Sequence, residues 1–221
     1  MHSGHWTSIN PMGIWIARHG ETIWNAEGRI QGRSNPPLTQ KGMDETLNLV
    51  EYLSHQNIHK IFTSPLQRCK ILALLLAERI KIPLSIAPEL QELSFGSWEG
   101  LKDEEIREKF PEQWNLWKSD PYSFHPGDGE SFSQMAKRVL PFFHSFRPDD
   151  PPVLFVTHLG VIQIILSDFL GISVSDFSPI FLYTGILFYL QKESRSLSWY
   201  TPASLQKRIA QKNFLPLHLH P

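Results

Sequence analysis

The chain has 221 residues, 41% of them hydrophobic and 19% charged, with a formal net charge of −1. This is enough for one large α/β domain, and it supplies no broad basic field for nucleic acid or an anionic membrane surface, so any anion site must be a local cluster of Arg and His. The single Cys69 excludes an intramolecular disulfide and fits a reducing, cytoplasmic setting, and the longest apolar stretch, 153–166, is broken by His158, Gly160 and Gln163, short of the ~18 residues that span a bilayer.

Residues 1–10 lack a basic segment followed by an apolar core and do not read as a secretory signal. Residues 1–12 are expected to form a disordered leader, with a native or alternative start at Met12-Gly13, directly before the first apolar run. That run, Ile14-Trp15-Ile16-Ala17, reads as a buried strand ending in Arg18-His19-Gly20. Residues 25–37 are polar and rich in Gly and Pro, the composition of a loop, and carry Arg29, Gln31, Gly32 and Arg33. Thr39 suits an N-cap, and Met43, Leu47, Val50 and Leu53 fall at helical spacing, which predicts a helix over 40–55. Lys60-Ile61-Phe62-Thr63 is a second strand, and Ser64-Pro65 pairs a cap with a first-turn proline, predicting a helix over 65–80. A third, Pro-bounded strand is expected over 81–87.

Residues 90–100 are irregular, 102–117 look helical with a break at Pro111, and 120–129, with Pro121, Pro126, Gly127 and Gly129, must form an exposed loop. Ser131 is expected to cap a helix reaching Phe146, with Met135, Val139, Phe142 and Phe143 on its apolar side. Val153-Leu154-Phe155-Val156-Thr157 is the clearest buried strand; it ends in His158, and a helix over 160–170 follows. Segments 182–191 and 197–200 read as a closing hairpin at the sheet edge, and 201–221 as a mobile tail. Strands that alternate with helices in this way specify an α/β three-layer sandwich, with a mostly parallel central sheet and helices on both faces. One domain over 13–200 is expected, with a small helical cap inserted near 92–130.

In a parallel sheet the ends of the strands carrying Arg18-His19 and His158 share one edge, and Arg68, one turn into the helix after Ser64, can reach over it. Two arginines and two histidines around one point suit a phosphoryl group: guanidinium forks meet its oxygens, and a neutral imidazole is a competent nucleophile at phosphorus. A single Arg–His pair at a strand end is more common in a surface loop than at a reaction centre; the second strand-terminal histidine and Arg68 shift that balance. The leaving oxygen needs a proton, which a carboxylic acid can give. Glu89, Glu92 and Glu99 all lie in the irregular segment, and the residues alone do not rank them. Ten histidines without an HExxH pattern or a Cys pair make no metal site. Trp98, Trp114 and Trp117 are expected to pack together rather than to stack on substrate.

Arg18-His19-Gly20-Glu21-Thr22-Ile23-Trp24-Asn25 resembles the RHGE signature of the histidine phosphatase superfamily, the phosphoglycerate mutase-like proteins. Four further segments follow in the family's order: Arg29-Ile30-Gln31-Gly32 with Pro37-Leu38-Thr39, Ser64-Pro65-Leu66-Gln67-Arg68, Leu90 through Gly100, and Val156-Thr157-His158, with Pro126-Gly127 and Gly129-Glu130-Ser131 similar to the loop before the penultimate long helix. The resemblance covers nearly all of 14–190. It implies that His19 is the nucleophile and forms a phosphohistidine, that Arg18, Arg68 and His158 bind the transferred group, and that Glu92, selected over Glu89 and Glu99, is the acid and base. It implies that Glu21, Thr22, Asn25, Gln31 and Gly32 belong to the substrate and phosphate site, and that no metal or other cofactor takes part. One departure is visible. Leu159 stands where the family usually has a glycine, and Leu cannot take backbone angles open only to Gly.

A phosphomonoesterase acting on a small phosphate ester is the expected function, since Phe95 through Gly100 and the compact length look like the phosphatase branch that includes α-ribazole phosphatases. A phosphoglycerate mutase-type isomerase is the alternative, and a non-catalytic phospholigand-binding protein is the third. Trp24, Arg33, Leu159 and the 101–125 part of the cap are expected to form the pocket wall, with Arg33 itself solvated.

Overall fold

The computed structural model describes residues 13–174, 183–200 and 208–210. The expected leader over 1–12 lies outside them, as does the expected tail apart from 208–210. A seven-stranded sheet organises the chain, in the order β3-β2-β4-β1-β5-β6-β7. β1 (Ile14–Arg18), β2 (Lys60–Thr63), β3 (Leu84–Ile86) and β4 (Val153–Thr157) are mutually parallel; β5 (Leu187–Gln191) and β6 (Ser196–Tyr200) form the antiparallel hairpin that extends β1. β7 (Arg208–Ala210) pairs with β6, so the part of the expected tail that is described is a strand at the sheet edge.

Every residue of β1 and β4 is buried, as expected of strands covered on both faces. Their side chains alternate. Ile14, Ile16, Val153 and Phe155 join one core with α6 (Phe132–His144) and α7 (Leu159–Leu170). Trp15, Ala17, Leu154 and Val156 join the other core with α2 (Gln40–Ser54) and α3 (Gln67–Ile80). No helix of the described residues is long and apolar enough to cross a membrane.

The caps explain several boundaries. Thr39 Oγ1 accepts from Gly42 N at the start of α2, and Ser131 and Gln134 form a reciprocal capping box at the start of α6. A short helix not expected from the sequence, α1 (Ile23–Glu27), runs into the start of the polar stretch; it is held by a second box between Thr22 and Asn25 and ended by Gly28 at φ +69°. The cap insertion contains α4 (Asp103–Lys109) and α5 (Pro111–Ser119). At its centre Trp98, 1% exposed, contacts Trp114 and Trp117, and Trp117 stacks on Phe132 of α6. This is the packing role expected of that cluster.

One start signal is corrected. α3 begins at Gln67 behind Leu66, which makes no side-chain cap, rather than at Ser64-Pro65. Ser64 is engaged elsewhere, as described below. The expected 81–87 strand shortens to β3 because Lys81 takes a left-handed φ of 55° to end α3.

Candidate active site

The parallel strands bring three chain segments to one sheet edge. Past the strand ends the ladder continues, with His19 N donating to Thr157 O at 3.3 Å and Ser64 N to Val156 O at 2.9 Å. His19, Ser64 and His158 are thereby set side by side on a rigid frame. The rings of His19 and His158 lie 5.2 Å apart, centroid to centroid. Gly20 is needed here for close approach, because a Cβ would run into the Gly42 carbonyl at the start of α2.

Hydrogen bonding assigns the tautomers. His19 Nδ1 lies 2.7 Å from Gly20 O, which can only accept, so Nδ1 carries the proton and Nε2 the lone pair. Arg68 Nε donates to that Nε2 and to His158 Nδ1, each at 3.2 Å. His158 Nε2 therefore holds its own proton and donates to Ser64 Oγ at 2.7 Å. Burial, reinforced by Arg68 and then by other nearby charge, pushes both imidazoles well below the usual histidine range, so both are neutral at neutral pH.

Arg68 is only 2% exposed and anchored from behind. Its Nη1 donates to Ser34 O at 2.6 Å and its Nη2 to Gly32 O at 2.8 Å, which aims the Nε edge at the histidines. Arg18, 8% exposed, faces the same cavity; burial lowers its pKa to about 10, still charged at neutral pH.

Of the three candidate carboxylates, only Glu92 lines the cavity. It accepts from Leu93 N at 2.9 Å and from Gly160 N at 3.4 Å. Burial raises its pKa above the ordinary carboxylate value, against the opposing pull of the Leu93 N–H, Arg68, the Gly160 N–H and Arg18. Gly160 allows the approach: a Cβ there would stand 2.6 Å from Glu92 Oε1. Arg138, in a two-point pair with Glu130, donates to the carbonyls of Glu89 and Glu92 and clamps the segment.

Glu99 does other work. Its carboxylate accepts from Arg33 N, Ser34 N, Ser34 Oγ and Phe95 N, at 2.6–3.2 Å. It thus holds the loop whose carbonyls anchor Arg68. Gly32, at φ +51°, packs directly on this carboxylate with no room for a Cβ.

Asn25, Gln31 and Gly32 line the cavity. Thr22 is buried behind them, and its Oγ1 donates to Gln31 Oε1 at 2.8 Å, which turns the other end of that amide, its NH2, outward. Glu21 is not brought to the site: its carboxylate accepts from Lys41 at 2.6 Å and Thr39 at 2.9 Å, and Lys41 holds its pKa below the usual carboxylate value. The expected wall also changes. Leu159 lines the cavity, but Trp24, Arg33 and the 101–125 segment do not; Phe95 and Phe132 take their place. Arg33 lies behind the wall, donating to Glu130 at 3.2 Å and to the Glu92 carbonyl at 3.4 Å. Leu159 opens α7 with no left-handed backbone, so the departure from glycine is accommodated without strain. The sequence marks Ser64 only as a helix cap, and its histidine-orienting contact has no local sequence signal. Among the described residues no group of three or more His, Cys, Asp or Glu is arranged to hold a metal ion.

The arrangement therefore combines an imidazole lone pair, two guanidiniums and a carboxyl inclined to hold its proton around one cavity. Comparison with known proteins gives the family. The model of the histidine phosphatase superfamily (branch 1) matches residues 14–195. Phosphoserine phosphatase 1 of Hydrogenobacter thermophilus is 30% identical over 73% of this chain and 78% of its own length. Adenosylcobalamin/alpha-ribazole phosphatase of Salmonella typhimurium is 32% identical over 71% of this chain and 78% of its own. The crystal structure of a putative alpha-ribazole-5'-P phosphatase from Escherichia coli superposes with a TM-score of 0.75 at 26% identity, covering 90% of this chain and 96% of that one. The chain belongs to the histidine phosphatase superfamily, branch 1.

Proposed function

We propose that the protein is a metal-independent phosphomonoesterase that hydrolyses a small phosphorylated metabolite through a phosphohistidine on His19, with Glu92 as acid and then base. The observation that carries this is the His19 tautomer: Nδ1 is spent on Gly20 O, and Nε2 points its lone pair at the Arg68 Nε–H. The Nε2 lone pair attacks phosphorus, the ester P–O bond breaks, and the leaving oxygen takes the Glu92 proton. The Arg68 N–H, no longer accepted by Nε2, meets the phosphoryl oxygens together with Arg18, so the charge is stabilised by groups already in place. Water then gives a proton to the Glu92 carboxylate and attacks phosphorus, and the P–N bond breaks to release phosphate and the neutral imidazole. The two relatives named phosphatases support hydrolysis over phosphoryl return to a sugar acid, which the same groups would serve in a mutase.

The test uses p-nitrophenyl phosphate with EDTA present and 3-phosphoglycerate in parallel. Phosphate release unaffected by EDTA, and an acid-labile phosphoenzyme lost in His19→Ala with turnover down more than ~10³-fold, are expected. Interconversion of phosphoglycerates without phosphate release would replace this reading with the mutase one.

A further inference from the structure

The same site carries a statement about which phosphate ester it takes. Resting on the phosphatase reading above, we infer that the outer cavity selects monophosphates of neutral alcohols bearing an aromatic or comparably flat apolar group, and works against esters with a second anionic group.

The cavity measures about 180 Å³ with its phosphoryl end included, and its outer part lies beyond the histidines. Its wall is Ile30, Leu93, Phe95, Phe132 and Leu159, from four separate chain segments, with Gln163 and Asn25 as neutral polar points. Phe95 and Phe132 both pack against Trp117, which braces the two rings from behind. A braced aromatic wall contributes apolar area at little entropic cost, and flat rings meet it by offset or edge contact.

Charge argues in the same direction. The lining holds three arginines among the described residues, and Arg18 and Arg68 face the transferred phosphoryl group. The third, Arg29, is neutralised in place: its Nε pairs with Glu27 at 2.7 Å, and its Nη1 meets Gly100 O at 2.8 Å and Glu105 at 3.2 Å. Arg33, the next basic side chain on that loop, is outside the lining, where it donates to Glu130 at 3.2 Å, a carboxylate it shares with Arg138, and to the Glu92 carbonyl at 3.4 Å. A carboxylate or second phosphate on the alcohol would lose water against Phe95, Phe132 and Leu159, and the lining among the described residues offers it no cation beyond the two that face the phosphoryl group and the paired Arg29; an ion desolvated without a partner is strongly disfavoured.

Three alkyl monophosphates with similar leaving oxygens separate the outcomes: 2-phenylethyl phosphate, O-phosphoserine and 3-phosphoglycerate, each followed by phosphate release. The expected result is a kcat/KM at least about tenfold higher for the phenylethyl ester, mostly through KM. Equal or reversed preference overturns the inference while leaving the phosphatase reading intact. No phosphate from any ester, with no phosphoenzyme, overturns both. Leu159→Arg, at a half-buried position on the first turn of α7, is expected to move the ratio toward the two carboxylated esters by about tenfold, and Leu159→Ser to raise KM for the phenylethyl ester. Arg29→Gln is expected to leave the ratio within about twofold; a selective loss of the carboxylated esters in that variant would show that Arg29 reads a second anion and would overturn the inference.

Discussion

The two halves of the cavity are built differently. The phosphoryl half is made at the ends of parallel strands and the first turn of α3. Arg18, His19, Arg68 and His158 are each 8% exposed or less, and ladder hydrogen bonds fix their spacing. The outer half draws single side chains from the 29–34 loop, the segment after β3, α6 and α7, with Phe95 and Leu159 half-buried. Chemistry placed on a rigid edge keeps its geometry while loops around it vary, which is how one frame serves many substrates. The two halves meet at Glu99, which ties the 29–34 loop to the cap and, through the Gly32 and Ser34 carbonyls, sets the angle of Arg68.

The sharpest way to break the contrast is Arg68→Ala. It removes the donor shared by both histidines and the cation facing the phosphoryl group, and a loss of ~10²–10³ in kcat is expected from steady-state rates. A mere rise in KM would show that the strand-end half is less decisive than its geometry implies.

Glu92→Gln comes next. Turnover of an alkyl phosphate should fall ~10²-fold or more, while p-nitrophenyl phosphate, whose leaving group needs no proton, should lose much less in the first step. The pH dependence follows from the shifts. His19 must be neutral, and its pKa lies well below the usual histidine value, so the acidic limb sits below that value. Glu92 must be protonated for the first step, and its pKa is raised, so kcat/KM falls as pH rises through a point above the ordinary carboxylate value. The folded protein thus binds the Glu92 proton more tightly than the unfolded chain. That contribution to stability is complete below the unfolded pKa and is lost as pH rises through the folded one. Thermal unfolding of Glu92→Gln should lack this part of the pH dependence.

Glu99→Ala tests the joint between the halves. With four hydrogen bonds to one carboxylate removed, stability should drop by ~2–4 kcal/mol in urea unfolding, and KM should rise about tenfold as Arg68 loses its anchored loop. Unchanged KM with lowered stability would mean that Arg68 holds its place without the loop.

The smallest effect is expected at Glu21→Ala, within about 0.5–1 kcal/mol in stability and about twofold in kcat/KM, because this carboxylate faces Lys41 and Thr39 away from the cavity. A large loss of rate would place it in the phosphoryl half after all.

Much of the frame was legible in the residues. β1 and β4 announced themselves as apolar runs because both faces are covered, and Thr39 and Ser131 marked helix starts through side-chain oxygens that reach only a few residues along the chain. α1 has no sequence signal because five residues are too few for a hydrophobic period, and β7 because three residues paired at an edge leave no periodic pattern. Ser64 departs from its expected capping role for a related reason. Its hydroxyl accepts from His158 Nε2, 94 positions away, and locally from Leu66 N at 3.3 Å, ahead of the helix, which begins only at Gln67.

The chain by itself determined the longer elements and the fact that two strands end in histidine, since hydrophobic period and capping are local properties. It did not by its residues choose among Glu89, Glu92 and Glu99, nor exclude Glu21 from the site, nor replace the 101–125 segment by Phe95 and Phe132 in the wall. Those choices rest on partners far along the chain: Gly160 beside Glu92, the 33–34 loop around Glu99, Lys41 on Glu21, and Trp117 behind the two phenyl rings. Only the tertiary structure decided them, because a carboxylate's role is set by which donors and how much water surround it once the segments have packed.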